Sequence, residues 1–190
     1  MKKALSSIFI LMLILNASCN NSPQKPMTAE QLIDKIGKTN DGLDKGKSTY
    51  IFTLPNGWTT KDTVINGVKF HFLFPPSDVA TGANVNVNIL NESMHGSSLD
   101  VYMQKTEQSM EKYMEGFKKL EEGNIEGGAT KGRWMHYVAF QNSTNIECVV
   151  YVFPSEDGVA YIMTAGTRKG NLDKFRPTFD AIAKSFKFIH

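Results

Sequence analysis

The chain is poor in cysteine. Only Cys19 and Cys148 occur among 190 residues. That excludes a disulfide-stapled scaffold, and a chain of this length can bury a core without staples. Long apolar runs are also missing. Residues 8–15 form an unbroken run of roughly eight, too short to cross a hydrocarbon layer of about 30 Å as a helix. An excess of one charge is missing as well. The formal net charge is +2, but Lys2 and Lys3 account for it, and the residues after them are balanced. A neutral surface argues against nucleic acid, which needs clustered cations to displace counterions.

Spacings that carry chemistry are absent too. His71, His95, His136 and His190 have no second ligand at a spacing such as H-x-x-x-H. The glycine-rich residues 122–132 lack the Gly-Lys-Ser/Thr of a phosphate loop. Ser93, Ser97 and Ser98 stand in no nucleophile-elbow context. Cys148 sits mid-strand among apolar neighbours, the setting of an inert thiol. No catalytic residue, metal ligand or cofactor site is therefore expected, and the reading is non-enzymatic.

What is present begins with an address. Met1-Lys2-Lys3 is a basic start, the apolar run follows, and Leu15-Asn16-Ala17-Ser18-Cys19 closes it. Small residues before a cysteine resemble a relaxed lipobox of the kind found in Bacteroidetes lipoproteins. The resemblance implies that residues 1–18 are a signal peptide and that Cys19 is acylated, palmitate-type chains joining it to the lipid bilayer. The family prefers Leu three residues before the cysteine, where this chain has Asn16. Each buried methylene contributes about 0.8 kcal/mol, so two or three chains anchor firmly where one does not. The expected location is the inner or outer membrane of a bacterial envelope, with the domain facing the periplasm or cell surface.

Residues 19–48 read as a tether. Asn20 to Pro26 is polar and proline-punctuated. Thr28 and Gln31 fit a capping box for a short helix over residues 28–36, with Leu32, Ile33 and Ile36 as its stripe and Gly37 at its stop.

The domain, residues 49–190, is organised around residues 131–167. Three strands are expected there, at 133–141, 146–153 and 159–167, joined by turn-rich segments. Both faces of the first two are apolar, which implies cover on both sides. Before them come a strand at 50–54, a hairpin around Asn66-Gly67 and an alternating strand at 83–89. The asparagines of that last strand, Asn84, Asn86 and Asn88, predict one wet face. Residues 98–120 read as one long amphipathic helix, with Leu99, Tyr102, Met103, Thr106, Met110, Tyr113, Met114, Phe117 and Leu120 on its stripe. A short strand is expected near 124–126. A second helix, regular from Arg176, carries Phe179, Ile182, Ala183 and Phe186 behind an entry turn at 172–175, and 187–190 is a tail. The fold class is α+β: an antiparallel sheet of about six strands, ending in the meander, covered by the two helices.

Phe52, Pro55, Gly57 and Trp58 at one end, and Tyr161, Phe179, Asp180, Ile182, Ser185 and Phe186 at the other, form an ordered set. It resembles the PsbP-like superfamily, including DcrB-like bacterial lipoproteins. The resemblance implies an antiparallel sheet between helices and a non-catalytic binding or scaffolding role, with an unnamed protein partner in the envelope. It carries over no metal or partner site. Two rivals stand beside it. Met103, Met110 and Met114 share a stripe that could form a deformable groove for a hydrophobic ligand or for Cu(I). A hydrolase with a site assembled in space is the other. Asp62-Thr63-Val64 also matches an O-glycosylation acceptor, at Thr63, in what reads as a polar turn.

Overall fold

The computed structural model describes residues 49–189 apart from 66, 81 and 142. Cys19 and the helix expected at 28–36 lie outside the described residues. The described elements, in order, are β1 (Thr49–Ile51), β2 (Thr59–Ile65), β3 (Val68–Phe74), a one-turn α1 (Ser77–Ala80) and β4 (Asn86–Ser93). Then come α2 (Leu99–Tyr113), β5 (Lys118–Asn124), β6 (Arg133–Gln141), β7 (Thr144–Pro154), β8 (Val159–Arg168), α3 (Leu172–Ser185) and β9 (Lys187–Ile189).

The fold is α+β. Seven strands form an antiparallel sheet in the order β2-β3-β4-β8-β7-β6-β5, and β1 pairs with β9 as a separate two-stranded ribbon. After β4 the chain crosses to the far edge through α2, and the β5–β8 strands then fill the gap back to β4. The hairpin expected around residues 66 and 67 forms between β2 and β3. Ile65 stands opposite Val68, and Gly67 has φ +82°. The turn between β6 and β7 is also two residues long, with Gln141 opposite Thr144.

Two apolar clusters lie on the two faces of the sheet. On one, α3 places Leu172, Phe175, Phe179 and Ile182 against Val149, Tyr151, Phe153, Tyr161 and Met163. On the other, α2 places Tyr102, Met103 and Met110 against Met135, Tyr137, Cys148, Val150 and Ile162. The doubly apolar meander is thus covered twice. Trp58 and Phe179 are both buried in the α3-side cluster. Ser98 caps α2, its Oγ accepting from the Val101 amide at 3.4 Å.

Several sequence expectations are corrected. The long helix stops at Tyr113 instead of residue 120. Met114 is extended (φ −103°, ψ 122°), and Gly116 takes φ +63°, a left-handed value that reverses the chain cheaply. Phe117 keeps its inward position from the following segment, 5.4 Å from the Tyr137 ring. Leu120 is a bulge residue between the Lys119 and Glu121 pairings and is exposed. The strand expected at 124–126 is displaced: β5 runs earlier, over Lys118–Asn124, and residues 125 and 126 lie outside it. The asparagine face of β4 is not wet: Asn86 and Asn88 are buried, and Asn88 Nδ2 donates to Asn86 Oδ1 at 3.2 Å. Side-chain hydrogen bonding between the two makes that burial tolerable. Thr63 lies on β2 opposite Phe70, within a strand rather than a turn. The last helix begins at Leu172 and contains Pro177, which lies on its exposed side, so the missing amide bond faces solvent. The expected tail is β9, held by Thr49↔Ile189 and Ile51↔Lys187. Strand β1 ends at Ile51, three residues before the expected end, and joins that ribbon.

Candidate functional site

The β2–β3 hairpin fixes the first functional pair. With residues 66 and 67 as its turn, Asp62 falls directly opposite His71. Side chains opposite one another point to the same face, and here Asp62 Oδ1 lies 2.6 Å from His71 Nδ1. Next to them Ile89 and Asn91 extend from β4 on that same face, since Ile89 pairs with His71. Tyr161 on β8 completes the floor.

The wall comes from the chain entering the domain. The β1–β9 ribbon turns Tyr50 inward, where its ring stacks on Phe186 at 4.9 Å and meets Tyr161 edge-on at 5.3 Å. Tyr50 and Phe52 both present edges to His71, with centroids 6.4 and 5.7 Å away. Between wall and floor lies an open cleft of about 620 Å³, which Thr60, Lys69 and Leu54 also line. Burial pushes the Tyr50 hydroxyl well above its ordinary value, and the negative charge of Asp62 pushes it further. Tyr50 therefore stays a neutral hydrogen-bonding group.

An aromatic wall, one acid–base pair, a lysine at the mouth and an asparagine amide suit a partner with mixed polar and apolar surface. A carboxylate on Nδ1 is also how hydrolases orient a histidine base. Among the described residues no serine or cysteine lines this cleft, and the aliphatic hydroxyls that do are Thr49 and Thr60. Asp62 and His71 offer two metal donors, and no group of three or more His, Cys, Asp or Glu is placed for a metal among the described residues.

The other singled-out residues are elsewhere. Met103 and Met110 are buried in the α2-side cluster, with Met114 half-buried beside it. The Cys148 thiol is fully buried, which raises it to about 12, partly offset by its hydrogen bond with Tyr137. His136 pairs with Glu147 at 3.0 Å near the start of α3, where Glu147 also accepts from the Gly170 amide at 2.9 Å. Sequence reasoning missed the cleft, although the hairpin register held the clue to Asp62 and His71.

Comparison with solved structures now decides the fold. LpqN of Mycobacterium tuberculosis, described as involved in cell envelope biogenesis, superposes with TM-score 0.53 at 13% identity, over 86% of this chain and 98% of its own. The cyanobacterial PsbP of Synechocystis superposes with TM-score 0.51 at 16% identity, over 74% of this chain and 86% of its own. The fold is PsbP-like. A Pseudomonas aeruginosa protein of unknown function adds a third match, with TM-score 0.50 at 15% identity, covering 70% of this chain and 92% of that one. No protein-family model and no curated protein matches the sequence. No helix among the described residues of this PsbP-like domain is long and apolar enough to cross a membrane.

Proposed function

We propose that this chain is a non-catalytic binding protein of the bacterial cell envelope, tethered to the bilayer by acylated Cys19, and that the cleft beneath β1 receives a protein partner. The cleft carries the reading. It joins the aromatic edges of Tyr50 and Phe52 to the Asp62–His71 pair, with Lys69 and Asn91 at hand for polar contacts. Such a mixed, open surface fits a polypeptide better than a purely apolar ligand. Its position supports the same view. The wall belongs to the first described strand, directly after the tether. A partner bound there would be held close to the anchored end. The envelope assignment draws on the leader and on the description of LpqN.

A photo-crosslinking amino acid at position 69 in intact cells tests this, with position 105 on the exposed side of α2 as control. The expected result is a discrete protein adduct from position 69 only, sharply reduced when Cys19→Ala releases the chain from the membrane. Identical adducts from both positions, or none from position 69, would overturn the proposal.

A further inference from the structure

On the far side of the same sheet face, behind α3, a second pocket of about 340 Å³ opens between the helix and the end of β5. We propose that it is an oxyanion site, taking a carboxylate or a phosphate group, with Arg176 and Lys184 as its ligands.

Arg176, Asp180 and Lys184 are spaced four residues apart on α3, so they share one side of the helix. Arg176 is held in place by three neighbours. Its Nε donates to Asp180 Oδ1 at 2.8 Å, and its guanidinium carbon lies 4.5 Å from the Trp134 ring centroid and 6.0 Å from that of Tyr151. The same Asp180 oxygen also accepts from the Tyr151 hydroxyl, so that carboxylate is engaged from two directions. Trp134 is itself fixed. Its Nε1 donates to the Asn124 carbonyl at 3.1 Å, and its indole leans on Gly123, where a Cβ would come within 3.1 Å of the ring.

The result is a guanidinium fixed in orientation, with Nε on Asp180 and a further hydrogen bond to the Tyr151 hydroxyl. The fork still has N–H donors that no acceptor among the described residues takes up, although the side chain is only 20% exposed. A half-buried fork with unused donors matches the two oxygens of a carboxylate or phosphate. Lys184 lines the same pocket and has no ion pair among the described residues. Its backbone carbonyl accepts from the Ala129 amide at 2.9 Å, tying the pocket's loop to the helix. Glu126 also lines the pocket but is exposed. Ile125 and Ala183 add apolar surface for the group that bears the anion.

The test uses the mature chain and ¹⁵N NMR of its two tryptophan indole amides, Trp58 serving as internal reference. Inorganic phosphate and, separately, acetate are titrated at constant ionic strength against sodium chloride. The Trp134 signal should move saturably with at least one of them while that of Trp58 stays put, and the stronger response says which oxyanion the site prefers. Arg176→Lys, which keeps the charge and loses the fork, should weaken binding about tenfold or more. Lys184→Gln should weaken it several-fold, and because that side chain is exposed, its effect is free of any folding defect. No saturable movement of Trp134 in the native chain, movement equal to that in sodium chloride, or unchanged binding in Lys184→Gln would overturn the site. The cleft beneath β1 shares no residue with this pocket, so either proposal can fail without the other.

Discussion

At the scale of single residues, the least expected group is Glu92. It lies on β4, is 5% exposed, and accepts from the Tyr102 hydroxyl at 2.6 Å. Burial raises its carboxyl to about 8, partly countered by that hydrogen bond. The folded chain therefore holds a proton there that the unfolded chain releases near the ordinary glutamate value. A raised carboxyl stabilises the fold most below the unfolded value, and this contribution is lost as pH rises through the folded one. Between about pH 5 and pH 8 the loss should approach about 1.4 kcal/mol per pH unit. Glu92→Gln should remove this slope and leave the variant the more stable of the two at pH 8. Urea midpoints at pH 5, 6.5 and 8 measure it; parallel curves for the two proteins would mean that Glu92 is ionised in the fold. Nothing in the sequence marks Glu92 as buried, because its neighbours Asn91 and Ser93 are polar. The Asp62–His71 pair was missed because residues 62–64 read as a polar turn, although counting outward from a two-residue turn at 66–67 places the two opposite each other.

At the scale of elements, legibility follows how local the determining signal is. The meander strands lie within two residues of their expected limits because turn residues bound each of them. The long helix was overrun because Phe117 continues the helical spacing while lying on a segment that Gly116 has already redirected. Strand β5 was hidden for a different reason. Its sequence, KKLEEGN, has no apolar alternation, and it exists as an edge strand pinned by β6 and by charges. Lys119 Nζ meets Glu107 of α2 at 2.7 Å, which raises the lysine's pKa chiefly through that hydrogen bond. The covering helices themselves read correctly as amphipathic, and their two faces should differ sharply in energetic weight. Phe179 is fully buried in the α3-side cluster, so Phe179→Ala leaves a cavity and should cost about 3–5 kcal/mol. Lys105 is exposed on α2 and makes one hydrogen bond, to Ser97 Oγ at 3.1 Å. Lys105→Ala should stay within about 0.5 kcal/mol. Denaturant melts of both variants compare them directly, and equal small shifts would contradict the packing of α3.

At the scale of the whole molecule, the question is where the folding unit begins. The two-stranded ribbon argues that it begins at β1. Tyr50 and Phe52 pack against the α3-side cluster, and Phe188 of β9 joins them, its ring 5.1 Å from Tyr161 and 5.5 Å from Phe186. The Thr53 amide also donates to Ser185 Oγ at 2.8 Å, joining the entering chain to the end of α3. The first and last described strands thus close over one core, and among the described residues neither pairs with another strand. A chain starting at Lys47 keeps all of these contacts and should unfold cooperatively without the tether. A chain starting at Gly57 loses Tyr50, Phe52 and the partner of β9. At about 1.5–3 kcal/mol for each large side chain fully buried, and less for these half-buried rings, several kcal/mol should go with them. That is a large share of the roughly 5–15 kcal/mol available to a domain. Thermal unfolding of the two truncations separates the cases. The Lys47 form should melt in one sharp transition and the Gly57 form far lower or not at all. Equal melting points would place β1 outside the folding unit, as a strap laid over a finished domain, and the wall of the cleft would then be free to move away from His71.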